Sequence, residues 1–285
     1  MKYTENAINF TWAQETLIGV LVKPHSNPTT GVIVVVGGPQ YRAGSHRQFV
    51  LLTRALAQEG IASMRFDYRG MGDSTGAARE FSDLSPDIGA AIDAMQQAVP
   101  SITRVVLWGL CDGASAALLY CYDTNDQRVR GLCLLNPWVR SEASLARAHI
   151  KHYYGQRLRQ KEFWIKLFNG KVAGAALAGL WRNIRLMGPS SRSPDDAQHL
   201  PFQLRMAHAW IGFQGSVLLL LSGDDYTAKE FLEYAGVDRS WAGLLEQEHI
   251  VRHELADADH TFSSPESRVR VESLTLEWLD KYVAG

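Results

Sequence analysis

The chain has 285 residues, 46% of them hydrophobic and 21% charged, enough to bury one large core as a single domain or as a domain with an insertion. With 29 Lys and Arg against 30 Asp and Glu the net charge is −1, which excludes a polyelectrolyte that binds nucleic acid or membrane through its overall charge. No apolar run reaches the 18 or so residues of a bilayer span, and the opening Met1-Lys2-Tyr3-Thr4-Glu5-Asn6 lacks the basic-then-apolar pattern of a secretory signal, so a cytoplasmic protein without a transmembrane segment is expected.

In chain order, residues 5–10 and 16–22 read as an opening hairpin, closed off by Pro24 and Pro28. Apolar runs at 32–36, 62–66, 105–108, 132–135, 217–221 and 250–255 then read as buried strands. Helical periodicity fills the stretches between them at 46–59, 83–98, 112–121, 227–235 and 266–282. Strands alternating with helices predict an α/β protein, a mainly parallel sheet with helices on both faces. The segment 139–210 breaks the alternation, being far longer than a crossover helix needs, and predicts an inserted helical cap on a core formed by 1–138 and 211–285. This segment carries twelve Lys and Arg against four Asp and Glu, a basic insertion in an otherwise acidic chain.

The strongest chemical signal is Val105-Val106-Leu107-Trp108-Gly109-Leu110-Cys111-Asp112-Gly113, an apolar strand running through G-x-C-x-G into a helix of small residues. In a nucleophile elbow the central residue sits in a strained strand-to-helix turn, and the flanking glycines let the two backbones approach. Cys111 is therefore the candidate nucleophile, while Cys121 and Cys133 lie in apolar stretches that predict burial. Three clustered cysteines make neither a disulfide framework nor a zinc site.

A nucleophilic cysteine needs a base, and the base needs an orienting acid, arranged in the chain order nucleophile, acid, histidine. The strand at 217–221 ends in Ser222-Gly223-Asp224-Asp225, and the strand at 250–255 is followed by Asp257-Ala258-Asp259-His260. Both loops fall at the carboxyl edge of the sheet, which makes His260 the candidate base and Asp225, two residues past the turn glycine, the preferred acid over Asp224. An oxyanion hole is expected from the N–H of Asp112 and one from the loop Gly37-Gly38-Pro39-Gln40-Tyr41-Arg42. Pro39 has no N–H, so Gln40 is the expected loop donor; the loop is not G-x-G-x-x-G, and a dinucleotide-binding reading fails. Tyr41, Arg42 and Trp138 are candidate substrate-binding residues at the same edge. Asp67 and Arg69, in Asp67-Tyr68-Arg69-Gly70-Met71-Gly72-Asp73-Ser74, are expected in a structural polar network. His149 and His152, spaced i, i+3, are read as a solvated helix face rather than a metal site.

These motifs together resemble the α/β-hydrolase superfamily over essentially the whole chain. More narrowly, Gly38 to Phe49, Gly109-Leu110-Cys111-Asp112 and Asp257 to Ser263 resemble the hydrolase 1 family associated with the exosortase A system of exopolysaccharide-making bacteria. The superfamily resemblance implies an α/β-hydrolase fold with a mostly parallel sheet of about eight strands and an inserted cap. Cysteine in place of the superfamily's usual serine is similar to dienelactone hydrolases and points away from ordinary peptidase or lipase chemistry. The expected activity is hydrolysis of an ester, thioester or lactone of a small-molecule acyl substrate, with no cofactor, metal or nucleic acid. The basic cap would suit an anionic or carrier-bound substrate. Acyl transfer by the same triad and a non-catalytic binding protein of the same fold are the alternatives.

Overall fold

The computed structural model describes residues 2–38, 40–140 and 200–283. Their strands are β1 (Tyr3–Trp12), β2 (Glu15–Pro24), β3 (Thr30–Val35), β4 (Ala62–Asp67), β5 (Arg104–Leu110), β6 (Val129–Leu135), β7 (Ser216–Ser222) and β8 (Ile250–Leu255). The helices are α1 (Gln48–Gln58), α2 (Ser85–Ala98), α3 (Asp112–Thr124), α4 (Phe202–Gly212), α5 (Tyr226–Val237) and α6 (Pro265–Tyr282).

All eight strands join one sheet in the order β1-β2-β4-β3-β5-β6-β7-β8. The β1–β2 and β2–β4 pairs are antiparallel, and every pair from β4 through β3 to β8 is parallel. The expected hairpin and the six further expected strands are thus found, within two or three residues at their ends, but β8 is corrected from buried to half-exposed, because it is the edge strand of the sheet.

Side chains alternate across a strand, so each central strand feeds two cores. Val32, Val34 and Val36 pack on one face with Phe49, Leu52 and Leu56 of α1 and Leu274 and Trp278 of α6. Ile33 and Val35 face the other way, with α2, α3, α4 and α5. Burying both faces is why these strands read as unbroken apolar runs, and each fully buried valine or isoleucine contributes about 1.5–3 kcal/mol.

Met1–Val139 and Pro201–Gly285 form one compact unit. The expected cap boundary at 210 is therefore corrected: α4 belongs to this unit, because its apolar face buries Met206, Ala207 and Trp210, and the Trp210 indole N–H donates to the Leu244 carbonyl at 3.1 Å. The rest of the expected cap, 141–199, with His149 and His152, lies outside the described residues.

Parallel strands place their carboxyl ends at one edge. The loops after β3, β5, β6, β7 and β8 all emerge there, as open α/β sheets require for a site.

Candidate active site

The turn from β5 into α3 holds Cys111 at φ 61°, ψ −126°, a positive φ that costs a non-glycine residue roughly 1–3 kcal/mol and survives only where its surroundings enforce it. The enforcement is visible in the backbone. Cys111 N–H donates to the Leu135 carbonyl at 2.9 Å, and the Cys111 carbonyl accepts from Trp138 N–H at 3.3 Å. Gly109 and Gly113 complete the turn, since a Cβ at Gly109 would meet the Gly113 backbone and one at Gly113 the Val35 carbonyl.

His260 follows β8, and its Nδ1 lies 2.9 Å from Asp225 Oδ2. Interaction with Asp225 first, and then with the nearby Cys111, outweighs burial and pushes the imidazole up to about 10. For Asp225, burial pulls upward, but the hydrogen bond and charge of His260 and the N–H groups of Ala228 and Thr227 prevail and hold the carboxyl below its usual value. Asp225 is also the N-cap of α5. Asp224 takes a backbone role, its N–H donating to the Ala258 carbonyl at 3.1 Å. The structure therefore brings Cys111, His260 and Asp225 together, with Asp225 rather than Asp224 on the histidine.

Asp112 opens α3 beside the thiol, where the helix N-terminus favours negative charge. In the loop after β3, Gln40 uses its side-chain oxygen to accept from Ser45 N–H at 3.0 Å and from Gln48 Nε2 at 3.3 Å. The Gly38 N–H reaches the Asp112 side chain at the start of α3, because β3 ends only a few residues earlier and Gly38 turns back with φ 61°.

Arg42 spends its guanidinium on Asp67 and, at 2.5 Å, on Asp73, while its backbone N–H donates to Asp67 Oδ1 at 2.7 Å. It ties the loop after β3 to the loop after β4, a structural role the sequence reading did not foresee. Asp67 and Arg69 are both in polar networks, as expected, but in separate ones: Arg69 forks onto the buried Asp87. Tyr41 is 52% exposed beside the Arg42 guanidinium, and Trp138 is half-buried next to the elbow, its carbonyl accepting from Ser115 Oγ at 2.7 Å.

Sequence reasoning missed Asn136 and Ser222. Asn136, fully buried at φ 45° after β6, donates from Nδ2 to Ser222 Oγ at 2.8 Å and to the His260 carbonyl at 3.1 Å, and accepts from Ser222 N–H at 2.9 Å. Ser222 Oγ donates in turn to the Asp259 carbonyl at 2.8 Å. This pair fastens the histidine loop to the ends of β6 and β7. A polar residue directly after an apolar strand, in Leu134-Leu135-Asn136-Pro137, was the signal available.

With this geometry in hand, comparison with known proteins gives a consistent picture. The Hydrolase_4 family model, described as serine aminopeptidase, S33, matches residues 27–178, over half of the chain. Among solved structures, an esterase from Pyrococcus furiosus superposes with a TM-score of 0.66 at 14% identity, over 99% of this chain and 92% of that one. A dienelactone hydrolase from Anabaena variabilis gives 0.62 at 15% identity, covering 99% of each chain. The human protein ABHD12B is 35% identical over 86 residues, 30% of this chain and 23% of that protein, so the match spans about a quarter of the relative's length. At these identities the structural neighbours establish the fold, a mostly parallel eight-stranded α/β-hydrolase sheet.

Proposed function

The chain belongs to the Hydrolase_4 family of α/β hydrolases, and from that premise we propose that it is a cysteine-dependent acyl hydrolase acting on an ester, thioester or lactone through a Cys111–His260–Asp225 triad. The observation that carries this reading is His260 Nδ1 at 2.9 Å from Asp225 Oδ2, with Cys111 at the strained elbow near enough to act on the same imidazole.

In the proposed reaction the Cys111 sulfur, its proton held by His260, attacks the acyl carbonyl carbon, and the carbonyl π pair moves onto oxygen. Backbone N–H groups at the elbow and the loop after β3 hold that oxyanion. Collapse breaks the bond to the leaving group, which takes the proton from His260. Water then gives a proton to His260 and attacks the thioester carbon, and collapse of the second tetrahedral adduct returns Cys111. Asp225 keeps the imidazole oriented and stabilises its cationic form throughout. An alcohol or amine in place of water would convert the same intermediate into acyl transfer.

The family description names a serine enzyme, and this chain departs from it at the nucleophile. The motif likeness to the exosortase A-associated hydrolase 1 family supports a role in that system. The basic residues of 139–210 support an anionic or carrier-bound acyl substrate. Charge attraction is screened over about 8 Å at physiological ionic strength, so an anionic ester should lose kcat/KM steeply with added salt while a neutral one of equal size should not. Equal behaviour of the two would remove the anionic substrate. The triad is tested by the burst of an activated aryl ester: it should vanish in Cys111→Ala and persist in Cys121→Ala. A burst surviving Cys111→Ala would overturn the reading.

A further inference from the structure

The loop N–H that would receive an oxyanion already has an acceptor: Gly38 N–H donates to Asp112 Oδ1 at 2.5 Å. The carboxyl lies close against this loop, since a Cβ on Gly37 would run into it, into the Leu110 carbonyl and, at 2.6 Å, into Gly113 N. Gly38 belongs to the loop after β3, one of the two sources of donors on which acyl-enzyme chemistry draws.

We propose that the Asp112 side chain is an internal occupant of the oxyanion pocket, an autoinhibitory contact that an incoming acyl carbonyl must displace before Cys111 can be acylated. This inference rests on the triad reading above. Its physical basis is competition between acceptors. A carboxylate forms charge-assisted hydrogen bonds to backbone N–H groups about twice as strong as those of a neutral carbonyl, so a bound ester loses the contest until charge develops on its oxygen or the carboxyl leaves. Loss of a single oxyanion donor costs about a hundred- to a thousandfold in kcat in other enzymes, so diversion of the Gly38 N–H is a large handicap. The consequence is an enzyme that turns over small activated esters well below the capacity of its triad. Substrates with extensive contacts away from the reacting carbonyl can use that binding free energy to displace the carboxyl.

The experiment separates acylation from nucleophile reactivity. Iodoacetamide alkylates a thiolate by displacement at a saturated carbon, with no oxyanion, whereas p-nitrophenyl acetate acylates through one. Both second-order rates at Cys111 are measured by mass spectrometry in the wild-type chain, in Asp112→Ala and in Asp112→Asn, the near-isosteric variant guarding against misfolding. The proposal expects the ratio of acylation to alkylation to rise about tenfold or more in Asp112→Ala and by less in Asp112→Asn. A ratio that stays constant or falls overturns it, and reduces Asp112 to a capping residue at the start of α3. An absence of any acyl adduct on Cys111 in all three proteins, with alkylation intact, would instead remove the triad reading on which the proposal stands.

Discussion

Asp225 Oδ2 stands 2.9 Å from His260 Nδ1 while the same oxygen accepts the Ala228 N–H at 3.1 Å, so one carboxylate both caps α5 and orients the candidate base. The helix start fixes the carboxylate, and the carboxylate fixes the imidazole. Asp225→Asn should therefore lower kcat by about a hundredfold or more through loss of histidine orientation, with KM little changed. Asp224→Asn should cost much less, because Asp224 contributes its backbone N–H to the Ala258 carbonyl. Steady-state kinetics of the two variants checks this, and the reverse ranking would move the acid to Asp224.

Thiol labelling should follow thiolate availability. Cys121, expected to be buried, is half-buried like Cys111, but its surroundings push its thiol up to about 12, and the fully buried Cys133 thiol is pushed up as well. Cys111 has His260 beside it. Iodoacetamide at neutral pH should modify Cys111 first and abolish ester hydrolysis with one equivalent bound. Peptide mapping that finds Cys133 or Cys121 modified first would refute the assignment.

The raised His260 predicts a pH dependence with a definite sign. An unfolded histidine titrates near about 6.5, and in the folded chain His260 is pushed up to about 10. The stabilisation from its interaction with Asp225 and Cys111 is thus fully present below about pH 6.5 and is lost as pH rises through about 10. The thermal midpoint of the wild-type chain should exceed that of His260→Gln most at pH 6, and the gap should narrow toward pH 10. If the imidazolium form is the active one, kcat/KM should also fall on an alkaline limb near 10, and Asp225→Asn should move that limb downward by removing its largest cause. An activity that climbs through this range would instead indicate a neutral histidine acting as base.

Asn136 is a positioning residue. It holds the His260 carbonyl and Ser222. Asn136→Ala removes all three of these hydrogen bonds and leaves buried groups unpaired, which should cost about 1–3 kcal/mol of stability. Beyond that loss, kcat should drop about tenfold or more at unchanged KM, and the alkaline limb of the pH profile should shift as the histidine loosens. Asn136→Asp keeps an acceptor for Ser222 N–H but no donor for the His260 carbonyl, so it should restore stability in part and kcat hardly at all. A variant that loses stability while its kcat and pH profile hold would make Asn136 purely structural.

Much of the molecule could be read along the chain because its signals are local. A strand buried on both faces must be a continuous apolar run, as at Val32–Val36 and Val217–Leu221, and a strained elbow needs small residues on either side, as at Gly109 and Gly113. Cys111, His260 and Asp225 stood out because parallel topology carries the ends of β5, β7 and β8 to one edge, whatever their separation in sequence. Tertiary structure alone decided where the polar groups around them point. Arg42 pairs with Asp67 and Asp73, the Gly38 N–H donates to the Asp112 carboxyl, and Asn136 reaches across to the histidine loop. Helix α4 likewise joined the core because Trp210 finds its partners, Trp241 and the Leu244 carbonyl, more than thirty residues downstream. Such choices depend on hydrogen bonds a few ångströms long between groups distant in sequence, each won by whichever donor or acceptor the packed backbone brings nearest. Residue type and periodicity carry no record of that competition, and its most consequential result, the Asp112 carboxyl accepting the Gly38 N–H of the loop after β3, is decided by the folded geometry.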